Sequence, residues 1–183
     1  MDLDMEFVEV EEAKNWYVAA LDGLRHLETA IHTNTKTRLS EVTLDQVHGM
    51  TVREWHEFLN DRELEHEMFA SLAVLACFEG IIRRDAENRG AVNKGQQFFH
   101  RFHPIASEDH VSIMRIFDLW AAEFSTGHTL RKRVSALKNL YRDRNTLAHG
   151  RATRGQFTFD VISEKLEAAL KKWKQFVPDF GSL

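Results

Sequence analysis

Proline stands at only two positions of this chain, Pro104 and Pro178, and glycine at nine of 183. Few residues are therefore available to stop a helix, either by removing a backbone donor or by supplying a left-handed turn, so long helices are favoured. Apolar side chains recur at helical spacing across residues 8–32, at Trp16, Val18, Ala20, Leu24, Leu27 and Ile31. A polar loop, Thr33 to Arg38, follows. Thr51-Val-Arg-Glu54 has the spacing of a capping box and predicts a short helix over 52–59. Asn60-Asp-Arg-Glu63 is a second start signal, predicting a long helix to about Asn88 that ends near Gly90.

Residues 93–106 read as a loop, with Gly95, Pro104 and the aromatic group Phe98, Phe99 and Phe102. Ser107 is the expected cap of a helix through Phe124, and Ser125-Thr-Gly-His-Thr129 breaks the pattern. Thr129 then caps a helix over 130–148, with Gly150 as its stop. Gln156-Phe-Thr-Phe159 alternates as a very short strand does, and Asp160 opens a last helix to about Phe176, before Pro178. The expected architecture is one all-α domain over residues 1–183, an antiparallel bundle of about five helices with its core over about 8–176.

Composition narrows the function classes. One cysteine, Cys77, leaves no internal disulfide and fits a reducing, cytoplasmic compartment. The start, Met-Asp-Leu-Asp-Met-Glu, is acidic where a signal peptide is basic. The longest apolar run, Met68 to Ile82, contains Glu79 and is too short to cross a membrane. No P-loop, GxGxxG or GxSxG occurs, nor any HExxH or CxxC. His100, His103 and His110 lie close together without a supporting cysteine, and His56 and His66 read as surface helix residues, so neither a metal nor a cofactor is expected. The three phenylalanines at 98, 99 and 102 could stack bases, although core packing or a dimer contact is the more ordinary use.

Charge is unevenly spread. The chain carries a formal charge of -4. From Arg131 to Arg154, however, only Asp143 opposes the basic residues Arg131, Lys132, Arg133, Lys138, Arg142, Arg144, Arg151 and Arg154. Such a patch on an acidic protein points to an anionic partner for one surface.

Within that patch lies Arg142-Asp-Arg-Asn-Thr-Leu-Ala-His-Gly-Arg151. On a wheel of about 100° per residue centred on Arg144, Leu137 falls near 20°, Leu130 and Ala148 near 40°, Leu140 near -40° and Leu147 near -60°. Arg144 thus sits in the apolar stripe, while Asn145, His149 and Arg142 lie at its rim. In the long helix Glu79 shares a face with Met68, Leu72 and Leu75. An inward carboxylate and an inward guanidinium in one small bundle are each costly unpaired, which predicts a Glu79–Arg144 ion pair.

The residue types suit phosphate chemistry. A histidine at a helix C-terminus can serve as general acid or base. Arginine holds phosphate and stabilises charge that develops on it, and asparagine orients a phosphate or a sugar hydroxyl. Together they could support metal-independent RNA cleavage, in which the ribose 2′-hydroxyl attacks the adjacent phosphate.

Arg144-Asn145-Thr-Leu-Ala-His149-Gly150 resembles the R-x(4–6)-H signature of the HEPN superfamily, in its Arg-Asn-x-x-x-His form. These four- or five-helix domains occur in bacterial toxins, abortive-infection systems and CRISPR effectors. The coarse helix layout agrees from about residue 8 to 176. The resemblance implies an endoribonuclease of toxin–antitoxin or phage-defence type, with an RNA substrate, an active site formed across a homodimer and a neutralising antitoxin as partner. It assigns Arg144 to the scissile phosphate, His149 to acid–base work and Asn145 to orientation. Glu79 would support the arginine, as an acidic residue on an earlier helix does in many members. Arg142 also fits the spacing, and Arg151 offers a further phosphate contact. The alternative is a non-catalytic HEPN-like module that binds RNA, nucleotide or a partner protein; a helical adaptor with a coincidental motif is the third reading.

Overall fold

The computed structural model describes residues 10–33, 40–91, 98–105, 108, 111–148 and 158–181. Among them seven α-helices follow one another: α1 (Val10–His32), α2 (Glu41–Val47), α3 (Val52–Ala91), α4 (Phe99–Phe102), α5 (Ile113–Ala122), α6 (Thr129–Ala148) and α7 (Phe159–Phe176). A 3-10 turn, His103–Ile105, joins α4 to the segment before α5. No strand occurs among the described residues, and the helices pack on one another as an all-α bundle. None of the described helices is long and apolar enough to cross a membrane.

The largest departure from expectation is α3. Thr51 and Glu54 do form the capping box: Glu54 Oε2 accepts the Thr51 N–H at 2.8 Å, and Thr51 Oγ1 accepts the Glu54 N–H at 3.3 Å. The second start signal at Asn60 does not interrupt the helix, which runs on for 40 residues. A side-chain cap is worth about 1 kcal/mol. Burying Trp55 and Leu59 in helical register contributes about 1.5–3 kcal/mol each, so packing overrides the cap.

Shorter departures have local causes. The sequence reading missed α2, seven residues opened by Ser40 Oγ, which accepts the Thr43 N–H. The expected cap Ser107 lies outside the described residues; Ser112 caps α5 by accepting the Arg115 N–H. His128 Nδ1 accepts the Leu130 N–H at the start of α6, so Thr129 is already helical. Phe159, expected to end a short strand, is buried in the first turn of α7, behind the cap position Thr158. Gln156 and Phe157 lie outside the described residues.

All the other long helices lean on α3. Val74, Phe78 and Ile82 of α3 meet Phe117 and Trp120 of α5, Leu130, Val134 and Tyr141 of α6, and Leu166 and Trp173 of α7 in one core. Phe102 is fully buried and packs on Trp120, with Phe98 edge-on to the same indole, so these rings are core rather than a base-stacking platform. The Phe99 side chain lies outside the described set. Trp55, Leu59 and Ala30 are buried apart from this core, where α1 and the N-terminal half of α3 run antiparallel as an arm.

The C-terminal segment closes the bundle. Phe180 is fully buried, stacked on Trp173 at 5.1 Å. Beside it Arg89, wholly inaccessible, donates to Asp85 and Asp179 and lies over the rings of Phe98 and Trp120. Gly181, at a φ of 71° that favours glycine, donates its N–H to Asp85 Oδ1 at 3.0 Å.

Candidate active site at the end of α6

Helix α6 is built as the wheel predicts. Leu130, Val134, Leu137, Leu140 and Tyr141 are buried, and Arg144 continues their stripe into the last turn. Arg144 is half-buried. Its Nε is fully shielded and has no hydrogen-bond partner, the only charged group among the described residues in that state. The neutral atoms that share the condition are three tryptophan indoles and Ser71 Oγ.

The predicted Glu79–Arg144 ion pair does not form. Glu79 pairs with Arg83 on its own helix: Arg83 Nε and Nη2 both donate to Glu79 Oε1, at 2.8 and 2.7 Å. Arg83 Nη1 also donates to the Val111 carbonyl. An i,i+4 partner needs no reach between helices, and the Val111 carbonyl holds Arg83 in place, so Glu79 is occupied before α6 is reached. The i,i+4 spacing was the available signal for Arg83.

Glu79 and Arg144 still share a neighbourhood through Tyr141. Its hydroxyl donates to the Leu75 carbonyl at 2.7 Å. Burial pushes the phenol well above its ordinary pKa; Glu79 adds to that rise, and Arg144 and Arg83 oppose it. Glu79, Arg83 and Arg144 thus all act on the buried Tyr141 phenol, and Arg144 bonds to none of the other three.

Around the same turn the other side chains point away. Asn145 and Arg142 are exposed, and Arg142 Nη1 donates to Asn139 Oδ1 at 3.1 Å. Asn139 and Asp143 line an open groove of about 480 Å³ between α6 and α7, with Thr158 and Lys165 on its far wall. His149, Gly150, Arg151 and Arg154 lie outside the described residues.

The basic patch divides into two kinds of cation. Arg131 Nη1 donates to the Phe124 carbonyl at 3.0 Å, closing the end of α5, and Lys138 pairs with Asp118. Both therefore tie α6 to α5. Lys132 and Arg133 are exposed on the first turns of α6. Among the described residues of the basic patch, Lys132, Arg133 and Arg142 are the exposed ones.

The chain matches no protein-family model, no curated protein and no solved structure. Function therefore rests on the chemistry of the site itself. A shielded guanidinium Nε without an acceptor among the described residues is a donor that a bound anion could use. One residue on and two residues back in the sequence, Asn145 and Arg142 are exposed, an amide and an arginine that can bind oxygens.

Proposed function

We propose that this chain is a metal-independent endoribonuclease of a toxin–antitoxin or phage-defence system, working in the cytoplasm. The observation that carries the reading is Arg144, whose buried Nε lacks an acceptor one residue from exposed Asn145. In the proposed reaction the ribose 2′-hydroxyl attacks the adjacent phosphorus, and the bond to the 5′-oxygen breaks. The products are a 2′,3′-cyclic phosphate and a free 5′-hydroxyl. Arg144 binds a non-bridging oxygen and stabilises its growing charge, Asn145 orients the phosphate, and His149 handles the proton. Arg142, Lys132, Arg133, Arg151 and Arg154 hold the flanking backbone. The working unit is a homodimer whose two motifs share one cleft, and an antitoxin is its natural partner.

The test is incubation of the purified protein with pooled tRNA, mRNA and rRNA in EDTA, wild type against His149→Ala. Fragments with cyclic phosphate ends from wild type alone support the proposal. Wild-type binding of RNA without cleavage shifts the reading to a module that only holds RNA.

A further inference from the structure

The groove between α6 and α7 offers acceptors on one wall and a donor on the other. Asn139 and Asp143 stand one helical turn apart on α6, and Val161 and Lys165 one turn apart on α7. Leu140 and Ile162 are buried between the two helices, and Val161 is 47% exposed. At about 480 Å³ the groove has the size of a small-ligand site.

Among the described residues, Asp143 and Lys165 bond neither to each other nor to anything else. Two carboxylate oxygens are thus left to accept and one ammonium to donate. Asn139 is already engaged. Its Oδ1 accepts from Arg142 Nη1 at 3.1 Å, which leaves its own amide N–H groups as donors and brings the Arg142 guanidinium to the groove's edge.

We propose that this groove binds a guanine base of single-stranded RNA, with Asp143 and Lys165 setting the preference. Single-stranded RNA is read on the Watson–Crick edges of its bases. Guanine's edge places a ring N–H and an exocyclic amino group side by side, with a carbonyl oxygen next to them. The two Asp143 oxygens accept from the adjacent donors, and Lys165 donates to the carbonyl. Adenine and cytosine each set an amino group beside a ring nitrogen lone pair. Uracil sets one N–H between two carbonyls. Each of these three turns a lone pair towards the carboxylate. The apolar side chains of Leu140, Val161 and Ile162 pack on the ring, and Arg142 meets the attached phosphate. The proposal deepens the ribonuclease reading and rests on it for RNA as the source of the base.

The probes are the 3′-monophosphates of guanosine, inosine, adenosine, cytidine and uridine, titrated in EDTA by calorimetry. The guanosine nucleotide should bind wild type one-to-one, about tenfold or more tighter than those of adenosine, cytidine and uridine. Inosine, which lacks the exocyclic amino group, should bind several-fold weaker than guanosine. Asp143→Asn, at an exposed position, should erase the preference. Asp160→Asn removes the same charge from the first turn of α7, outside the groove, and should keep the preference. Absence of guanosine binding, equal binding of the nucleotides, or a preference that survives Asp143→Asn would overturn the proposal. Cleavage of pooled RNA by the same samples separates the two readings. Guanosine binding without cleavage upholds the groove and sinks the ribonuclease, and cleavage without guanosine binding does the reverse.

Discussion

Arg89 and Arg144 are both drawn into the same bundle, and their surroundings differ in kind. Arg89 has no exposure; two carboxylates take its donors and two aromatic rings flank its face. Burial pulls its pKa down, but Asp85 and Asp179 outweigh that and hold it up. Arg144 has a shielded Nε without an acceptor, at the end of a helix, beside exposed polar groups. A satisfied buried charge fixes how segments meet, here the C-terminal segment against α3. A shielded donor without an acceptor costs about 1–3 kcal/mol, a cost that a bound acceptor would remove. The first arrangement is a fold device, and the second is the one proposed above to hold an anion.

The largest effect is expected at Arg89. Arg89→Ala leaves Asp85 buried without its partner and should cost about 3–5 kcal/mol in urea unfolding. Replacing both members, Asp85→Leu with Arg89→Met, should recover much of that loss, because the desolvation penalty goes with the pair. If Arg89→Ala is neutral, the clasp holds nothing.

At Arg144 the outcomes should be reversed. Arg144→Ala should leave stability within about 1 kcal/mol of wild type or raise it, since an unsatisfied group is removed. RNA cleavage should fall by about 100-fold or more, the scale of losing one charge-stabilising donor. Arg144→Lys keeps the charge without the planar fork and should recover only part of the activity.

Glu79→Gln probes the α3 side of the same region. It weakens a partly buried pair with Arg83, a loss of about 1 kcal/mol by thermal melt. Because Glu79 does not touch Arg144, cleavage should fall less than in Arg144→Ala. A loss as large would mean that Glu79 turns to Arg144 when RNA is bound.

The smallest effect belongs to the exposed cap of α3. Its bonds from Thr51, side chain first and then backbone, hold the Glu54 carboxyl below its ordinary value of 4.5. A depressed folded-state pKa adds stability that is present above the ordinary value and fades as pH falls through the folded one. Glu54→Gln should therefore lower the melting temperature slightly at pH 7, with the difference from wild type closing in acid.

What the sequence made legible was what depends on nearby residues. The stripe of α6 with Arg144 in it, the Thr51–Glu54 box and the all-α class follow from periodicity and capping. Asn60 misled because a weak local signal competes with the packing of Trp55 and Leu59 against a helix thirty residues away. The Arg89 clasp was invisible because its second carboxylate, Asp179, lies 90 residues on. The partner of Glu79 was misassigned because two inward charges were matched across helices while Arg83, one turn away, already filled the place.

On the proposed reading Arg144 is kept for a ligand and not for the fold. Its most direct test is cleavage of pooled RNA in EDTA by wild type and Arg144→Ala, with thermal melts of the same samples. Loss of cyclic-phosphate products with an unchanged or higher melting temperature is the expected result. Full cleavage by a variant that melts well below wild type would make Arg144 a structural strut and not a ligand-binding group.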